Sequence, residues 1–178
     1  MARTFPETLR FASIGAMRSA SLVLATLSTG LIAGVFGLYA HAIMPGLRAT
    51  DDRTFVRAFQ SIDRSIINPL FIGPMFLGAA LFTAIAAVTN RRTPVFAWTV
   101  GALVAYLVAM AITGVVHVPL NDTIKAAGNP DSLAQATAAR AAFHEARWAA
   151  WNVVRAILST GAFAMLLWSV LLHGRATP

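Results

Sequence analysis

The residues of this sequence with the clearest chemical potential are polar side chains that interrupt long apolar stretches. In one stretch, four side chains recur at i, i+4, i+7 and i+11 and so share one helical face: Tyr106, Met110, Thr113 and His117. A later stretch carries a similar stripe, formed by His144, Trp148, Trp151, Asn152, Arg155 and Ser159. In a membrane span, ionisable side chains are energetically expensive and by default indicate function. These two stripes are therefore the candidate site.

Several of these side chains have a structural interpretation beside the functional one. Pro119 has no N–H, which leaves the carbonyl of Val115 without its helical donor. His117 then either satisfies backbone groups there or acts as a base or ligand. A buried Arg155 needs an acceptor, which is either a ligand or a loop that it ties down. Tryptophans at a membrane surface are either interfacial anchors or pocket walls.

Four apolar stretches are long enough to position these side chains in a membrane: residues 19–44, 68–88, 95–120 and 151–172. Each has about 20 residues or more, the length that an α-helix needs to cross a ~30 Å hydrocarbon core. Backbone groups must be satisfied within lipid, so all four are predicted to be helices. The first stretch exceeds the ~7–15 residues of a signal-peptide core and is interpreted as a retained span. We therefore predict one all-α domain, residues 1–178, built as a transmembrane four-helix bundle.

The composition agrees with a membrane protein. The hydrophobic fraction is 57% and the charged fraction is 12%, against roughly 25% charged residues in soluble domains. The net charge of +7 does not indicate nucleic-acid binding, because the basic residues lie at the ends of apolar runs. Cysteine is absent, which excludes disulfides and thiolate chemistry. The expected partners are the lipid bilayer and a lipophilic small molecule. No nucleic-acid partner is expected.

The first long loop is predicted to hold a helix of its own. After the capping residues Asp51 and Asp52, apolar side chains recur along one stripe: Phe55, Phe59, Ile62 and Ile66. This pattern is typical of an amphipathic helix at a membrane interface.

The starts of the second and fourth spans also carry signals. Asn68-Pro69 indicates an N-cap followed by proline at the first helical position, and Pro74 is expected to kink the second span. In the second long loop, the Ala-rich segment from Ser132 is predicted to be helical and to run straight into the fourth span.

Four spans place both chain termini on the same side of the membrane. That side holds Arg3, Arg10, Arg18, Arg91, Arg92 and Arg175 against Glu7. Short basic loops favour the cytoplasm, so we predict a multi-pass cell-membrane protein with cytoplasmic N- and C-termini. His41 and Asn68 then lie at the opposite face with the two stripes. A pocket between four helix ends, roofed by the loop helices, is expected there.

Several chemistries lack their sequence signatures. There is no HExxH, phosphate loop, GxGxxG or glycine-flanked serine elbow. The carboxylates fall outside the predicted spans, which argues against carboxylate-pair catalysis and proton-relay transport: Asp51, Asp52, Asp63, Asp122, Asp131 and Glu145. No cofactor is expected, although His41, His117 and His144 leave haem or metal binding open without a ligand spacing that favours it.

Short motifs over nearly the whole chain resemble those of the small four-helix membrane proteins related to the anthrone oxygenases of polyketide biosynthesis. The motifs are Met44-Pro45-Gly46-Leu47, Asp52 to Phe59, Gln60-Ser61-Ile62 with Asn68-Pro69, Val118-Pro119-Leu120-Asn121, Trp148, Trp151-Asn152 and Arg155. The family usually carries Asn two positions before the proline of the third-span motif, where this chain has His117.

The resemblance implies a cofactor-independent monooxygenase that uses O₂ to convert an activated methylene of an anthrone-type aromatic into a carbonyl. Such chemistry requires a base, donors for an enolate oxygen and a dry aromatic slot. On this basis His117 is the candidate base, and Arg155, Asn152 and Asn121 are the candidate oxyanion donors. Residues expected to bind substrate are Trp148, Trp151, His41, Asn68 and Tyr106.

Two other functions remain open at this stage. The chain is alternatively a non-enzymatic membrane protein that binds a lipid, a quinone or a partner protein with the same Arg and Trp residues. It is otherwise a haem or metal protein that uses its histidines. Gly30, Gly34 and Gly37 of the first span permit close helix packing, either within the chain or in a homodimer.

Overall fold

The computed structural model describes residues 5–176 of the chain, with side chains described for residues 13–175. The described residues form helices and no strand. Four helices are long and apolar enough to cross a membrane: Ser13–Arg48, Phe71–Thr89, Val95–Ala126 and Glu145–Arg175. The predicted all-α fold of four membrane helices is confirmed. Of the residues used to predict topology, Arg3 lies outside the described residues, as do the side chains of Glu7 and Arg10.

Three of the four spans are interrupted by a short π-helical segment. The α-helices are α1 (Phe5–Leu38), α2 (Met44–Arg48), α3 (Asp52–Ile66), α4 (Gly78–Thr89), α5 (Val95–Ile112), α6 (Val118–Ala126), α7 (Leu133–Phe143) and α8 (Glu145–Ala176). The π segments are π1 (Tyr39–Ile43), π2 (Phe71–Leu77) and π3 (Thr113–His117). The first span joins α1, π1 and α2, the second joins π2 and α4, and the third joins α5, π3 and α6. The fourth span is α8 alone.

Each π segment has a proline inside it or two residues after it: Pro45 after π1, Pro74 within π2 and Pro119 after π3. A proline cannot donate to the carbonyl four residues earlier, so the local turn must re-pair its backbone. In π1 the N–H of Met44 donates to the carbonyl of Tyr39, and in π3 the N–H of Val118 donates to that of Thr113. These are the five-residue steps of a π-helix. In π2, which contains Pro74, the N–H of Gly78 donates to the carbonyl of Gly73, so the second span is also widened at its proline.

Small side chains hold the membrane half of the bundle together. Helix α1 packs against α8 and α4, and α5 packs against the same two helices. Each span contributes a fully buried alanine to these crossings: Ala25, Ala79, Ala102 and Ala162. Small residues let helix backbones approach closely, which is how helices gain packing energy in lipid.

Gly30 is the glycine of the first span that packs within the chain. A Cβ at Gly30 would lie 2.7 Å from Cε2 of Phe163, whereas nothing lies within 4 Å of a Cβ at Gly34 or Gly37. Overpacking of this kind typically costs about 1–3 kcal/mol. We expect Gly30→Val to lower the melting temperature in detergent and Gly34→Val to leave it unchanged. Equal losses in both variants would show that the packing of Gly30 is not the cause. The homodimer stays a prediction.

The amphipathic helix of the first long loop is present as α3, and its apolar face packs on protein. Asp51 caps it, since its Oδ1 accepts from the N–H groups of Arg53 and Thr54 at 3.1 Å. The Thr54 hydroxyl also donates to this carboxyl, and together these bonds lower the pKa of Asp51. Phe55 and Phe59 are buried against α7.

The predicted cap of the second span is confirmed. Asn68 Oδ1 accepts from the N–H of Phe71 at 3.0 Å, and the Asn68 carbonyl accepts from Ile72 at 2.9 Å. Asn68 thereby starts the helix immediately after α3 has ended, and the side chain is committed to this structural bond.

The prediction that the Ser132 segment runs straight into the fourth span is wrong. Ser132 and Gln135 form a capping box that starts α7, but α7 ends at Phe143 and a left-handed residue, His144 (φ 51°), separates it from α8. Arg140 Nη2 reaches across the break to Glu145 Oε2 at 2.8 Å. The break turns α7 away from the line of α8, which lets α7 pack over α3 and α6.

Candidate functional site

A cavity of about 200 Å³ lies where the spans meet the loop helices. All three π segments contribute to its wall, through Tyr39 of π1, Phe71 and Phe76 of π2, and Thr113 and His117 of π3. Helix α8 adds Trp148 and Arg155, while α3 adds Phe59 and Asp63 and α6 adds Asn121. The irregular helical turns therefore all lie at one depth, around one cavity. Such turns are frequent at functional sites.

Arg155 is a buried cation without an ion-pair partner among the described residues. Its side chain is 5% exposed. Its Nη1 donates to Thr113 Oγ1 at 3.1 Å, and its Nη2 and Nε donate to Asn152 Oδ1 at 2.9 and 3.3 Å. The guanidinium stacks over the ring of Phe36, 4.1 Å from its centroid. Five N–H donors therefore meet only two neutral acceptors, and an uncompensated buried charge of this kind is costly.

Asn152 holds Arg155 in place and does not line the cavity itself. It is fully buried, and its Nδ2 donates to the carbonyl of Phe36 at 3.0 Å. That bond orients Oδ1 toward the guanidinium, so the sequence-predicted oxyanion donor acts on Arg155 instead. The bond also ties α8 to α1 at the depth of the cavity.

His117 is buried, with one ring nitrogen free. Nδ1 lies 3.4 Å from the carbonyl oxygen of Ile112, a long contact. Nε2 is buried without a hydrogen-bond partner. The ring meets the indole of Trp148 edge-on, with centroids 4.9 Å apart. A neutral imidazole that donates from Nδ1 to Ile112 would keep the lone pair of Nε2 available to accept a proton.

A hydrogen-bonded chain runs from Trp148 toward the surface. The indole Nε1 donates to Asn121 Oδ1 at 2.7 Å, and Asn121 Nδ2 donates to Asp63 Oδ1 at 2.7 Å. Asp63 Oδ2 lies 3.4 Å from Lys125 Nζ, and Lys125 also pairs with the exposed Asp122 at 2.9 Å. Both polar groups of Asn121 are thus engaged. Its amide therefore positions Trp148 and the carboxylate, with one N–H of Nδ2 committed to Asp63.

The expectation that every carboxylate lies apart from the spans needs correction. Asp122 and Glu145 lie within the third and fourth spanning helices, near their ends. Asp63 belongs to α3, is 5% exposed and lines the cavity. Sequence reasoning missed it, although Asp63 lies four residues after Phe59 and three before Ile66, on the buried face of α3.

The other predicted substrate-binding residues do not line the cavity. Trp151 is 39% exposed on the outer surface of α8. His41 is exposed, and Asn68 is exposed and caps a helix. Tyr106 is buried in the membrane core, where its hydroxyl donates to the carbonyl of Phe76 at 2.8 Å. Of the predicted site residues, the cavity wall contains His117, Asn121, Trp148 and Arg155.

The histidines are not gathered into one place. His41 and His144 are exposed, whereas His117 is buried. The part of the chain that the structure describes contains no group of three or more His, Asp or Glu side chains that could hold a metal ion.

Replacing Asn121 by Leu should destabilise the site as a unit. The variant removes the acceptor of Trp148 Nε1 and the donor to Asp63, and each buried group left unpaired costs about 1–3 kcal/mol. We expect a lower melting temperature and a shifted tryptophan emission. Thr123→Leu is the matched control. Thr123 is exposed on the same helix, and its hydroxyl donates to the backbone carbonyl of Pro119 one turn earlier. Similar losses in the two variants would contradict the positioning role.

The fold and the cavity define a class: small four-span membrane proteins that enclose a partly polar cavity beneath helical loops. Residues 66–165, more than half of the chain, match the model of the anthrone oxygenase family. The chain belongs to this family. The match includes His117, Asn121, Trp148, Asn152 and Arg155, whereas α1 and most of α3 lie before it. No curated protein and no solved structure matches the chain.

Proposed function

We propose that this protein is a cofactor-independent oxygenase that converts an activated methylene of a lipophilic, anthrone-type aromatic into a carbonyl with O₂. The observation that carries the proposal is Arg155. A guanidinium that is 5% exposed, unpaired with any described carboxylate and set in a cavity wall lacks a strong acceptor in the protein. The oxygen of a bound enolate would supply one. The family membership supports the same chemistry.

The first step is proton abstraction. With the methylene near Nε2 of His117, the free lone pair takes one C–H proton and the electron pair passes into the ring system and onto the carbonyl oxygen. Arg155 donates to that oxygen, and the charge that develops there is stabilised by a fixed donor in a dry site. Trp148 and Phe36 line the cavity and provide apolar surface for the rings beside the guanidinium.

The remaining steps balance within the site. The carbanion gives one electron to O₂, and the two radicals combine to form a carbon–oxygen bond to a peroxide. The imidazolium of His117 returns its proton to the peroxide. His117 then removes the second C–H proton as the oxygen–oxygen bond breaks, and the departing hydroxide takes that proton back. The methylene and O₂ become a carbonyl and water, without net exchange of protons.

The test begins with purified protein in mild detergent, characterised by its absorbance spectrum and metal content. O₂ uptake is then followed with a phenolic anthrone, and the same anthrone in protein-free detergent is the control that measures autoxidation. We expect one O₂ consumed per carbonyl formed, with labelled oxygen from isotopic O₂ in the product. Binding without uptake above the control would overturn the oxygenase and favour a lipid- or quinone-binding protein. Uptake that depends on haem or metal would favour a histidine-bound cofactor.

We also propose that both termini face the cytoplasm of a cell membrane and that the cavity lies toward the opposite side. The exposed Arg91 and Arg92 between the second and third spans support this orientation. Because the chain has no cysteine, single variants Arg91→Cys and Ala138→Cys can be labelled in intact cells with an impermeant maleimide. We expect only the second to react. The reverse pattern would invert the topology.

A further inference from the structure

The wall of the cavity changes character from its inner end to its outer end. The inner end holds buried polar and aromatic side chains such as Arg155, His117 and Trp148. The outer end holds aliphatic side chains that line the cavity and are also exposed on the surface of the molecule. Ile67 is 55% exposed, Ile72 is 37% exposed and Val118 is 47% exposed. The three exposed residues of the cavity wall are therefore all aliphatic, and the cavity reaches the outer surface at this apolar edge.

This edge lies between the second and third spans, where both helices are irregular. Ile72 belongs to π2, and Val118 follows π3 directly. The surrounding surface is also apolar, since Leu70 is 66% exposed and Val115 is 74% exposed. Exposed aliphatic side chains of this density on a spanning helix face hydrocarbon rather than water.

The side of the cavity that faces water is closed. We call α3, α6 and α7 the roof. Phe59 of α3 packs against Phe143 of α7 with ring centroids 4.5 Å apart, and both side chains are buried. Gln60 ties α3 to the end of α6, because its Nε2 donates to the carbonyls of Ile124 and Gly128 at 2.7 and 2.8 Å. A ligand from water would have to displace this packed layer.

We propose that the cavity is loaded sideways from the membrane, through a portal between Ile72 and Val118, by a flat lipophilic molecule dissolved in the bilayer. The molecule enters with its oxygen-bearing edge first, which brings an acceptor to Arg155 and leaves an apolar edge against Ile67, Ile72 and Val118. The cavity is smaller than the roughly 300–1,000 Å³ of pockets that bury whole drug-sized ligands. The apolar edge of the ligand that stays at the mouth of the cavity lies in hydrocarbon, so the protein does not need to enclose it. The portal does not depend on the bound molecule reacting.

The test measures access without turnover. Because the chain has no cysteine, the single variant Val35→Cys places one thiol in the cavity. Val35 belongs to the first span and lines the cavity wall. The protein in liposomes is exposed to N-phenylmaleimide, a flat uncharged reagent that partitions into lipid, or to a charged methanethiosulfonate reagent in water. Ala138→Cys, exposed on α7, verifies that both reagents are active.

We expect Val35→Cys to react with N-phenylmaleimide and not with the charged reagent. Adding Ile72→Trp or Val118→Trp should slow the first reaction by about tenfold or more, a rise of ~1.4 kcal/mol in barrier. Leu81→Trp and Val108→Trp are the matched controls, since both residues are exposed on the same spans away from the cavity. They should leave the rate unchanged.

Three outcomes would overturn the portal: equal labelling by the charged reagent, no labelling by either reagent, or equal rates in the portal and control variants. None of them bears on O₂ uptake, so failure of the portal and failure of the oxygenase are distinguishable. Folding of each variant is checked by its helical circular dichroism and elution volume.

Discussion

Arg155→Met is expected to lower kcat/KM for a phenolic anthrone by about 10²–10³-fold, the usual effect of removing one preorganised oxyanion donor. Methionine keeps an unbranched apolar stem against Phe36 but cannot donate to an enolate oxygen. The melting temperature should change little, because removal of an uncompensated buried charge offsets the loss of the donors to Thr113 and Asn152. O₂ uptake and thermal unfolding are measured on the same preparation.

Arg57→Met is the matched control. Arg57 is exposed on α3 and bonds Asn129 Oδ1 at 2.8 Å, away from the cavity. We expect wild-type kcat/KM in this variant. If Arg155→Met lost stability in proportion to activity, Arg155 would be a structural tie between π3 and α8. Normal activity in Arg155→Met would remove it from the site.

His117→Ala is expected to reduce kcat by about 10²–10⁴-fold, the range attributed to a positioned general base. The variant also opens space beside Trp148, so added imidazole should restore part of the rate. His117→Asn introduces the residue that the family usually carries at this position. It should fold normally and lose as much activity as the alanine variant, because an amide can bond the Ile112 carbonyl but cannot take a proton at neutral pH.

The asparagine variant separates the two interpretations of His117. Full activity in His117→Asn would mean that the side chain serves only as a hydrogen-bond partner for backbone. His41→Asn provides the control for general loss of a histidine, since His41 is exposed and outside the cavity wall. Its kcat should match the wild type, and imidazole should have no effect on it.

The membrane fold was largely predictable because the length and apolarity of each span are enough to identify it in the sequence. The amphipathic stripe of α3 and the cap at Asn68 follow from local rules, and both are present. The break at His144 was not predictable from composition, since no glycine or proline marks it. Arg140 stabilises it through bonds to Asp52 on α3 and to Glu145 across the break.

The site was predictable to the extent that side-chain periodicity decides which residues face inward. The stripes on the third span and on α8 bring His117, Trp148 and Arg155 to one cavity, although π3 interrupts the third span at His117. Trp151 was misplaced because it follows Trp148 by three residues, and a stripe of that width extends onto the lipid face. Asp63 was not predicted as a site residue because its helix, α3, lies outside the spans. Only the tertiary packing of α3 places Asp63 at the cavity.

The roof also bears on how the protein is made. Its buried layer joins Phe55 and Phe59 from the first long loop to Phe143 from the second and to Trp148 at the start of α8. Both loops must therefore reach the same side of the membrane before this layer can form, and the second does so only after three spans have been inserted. Biogenesis thus ends with the enclosure of the cavity. A chain stalled before its fourth span would carry His117 without Arg155, and so would be a membrane protein without a site.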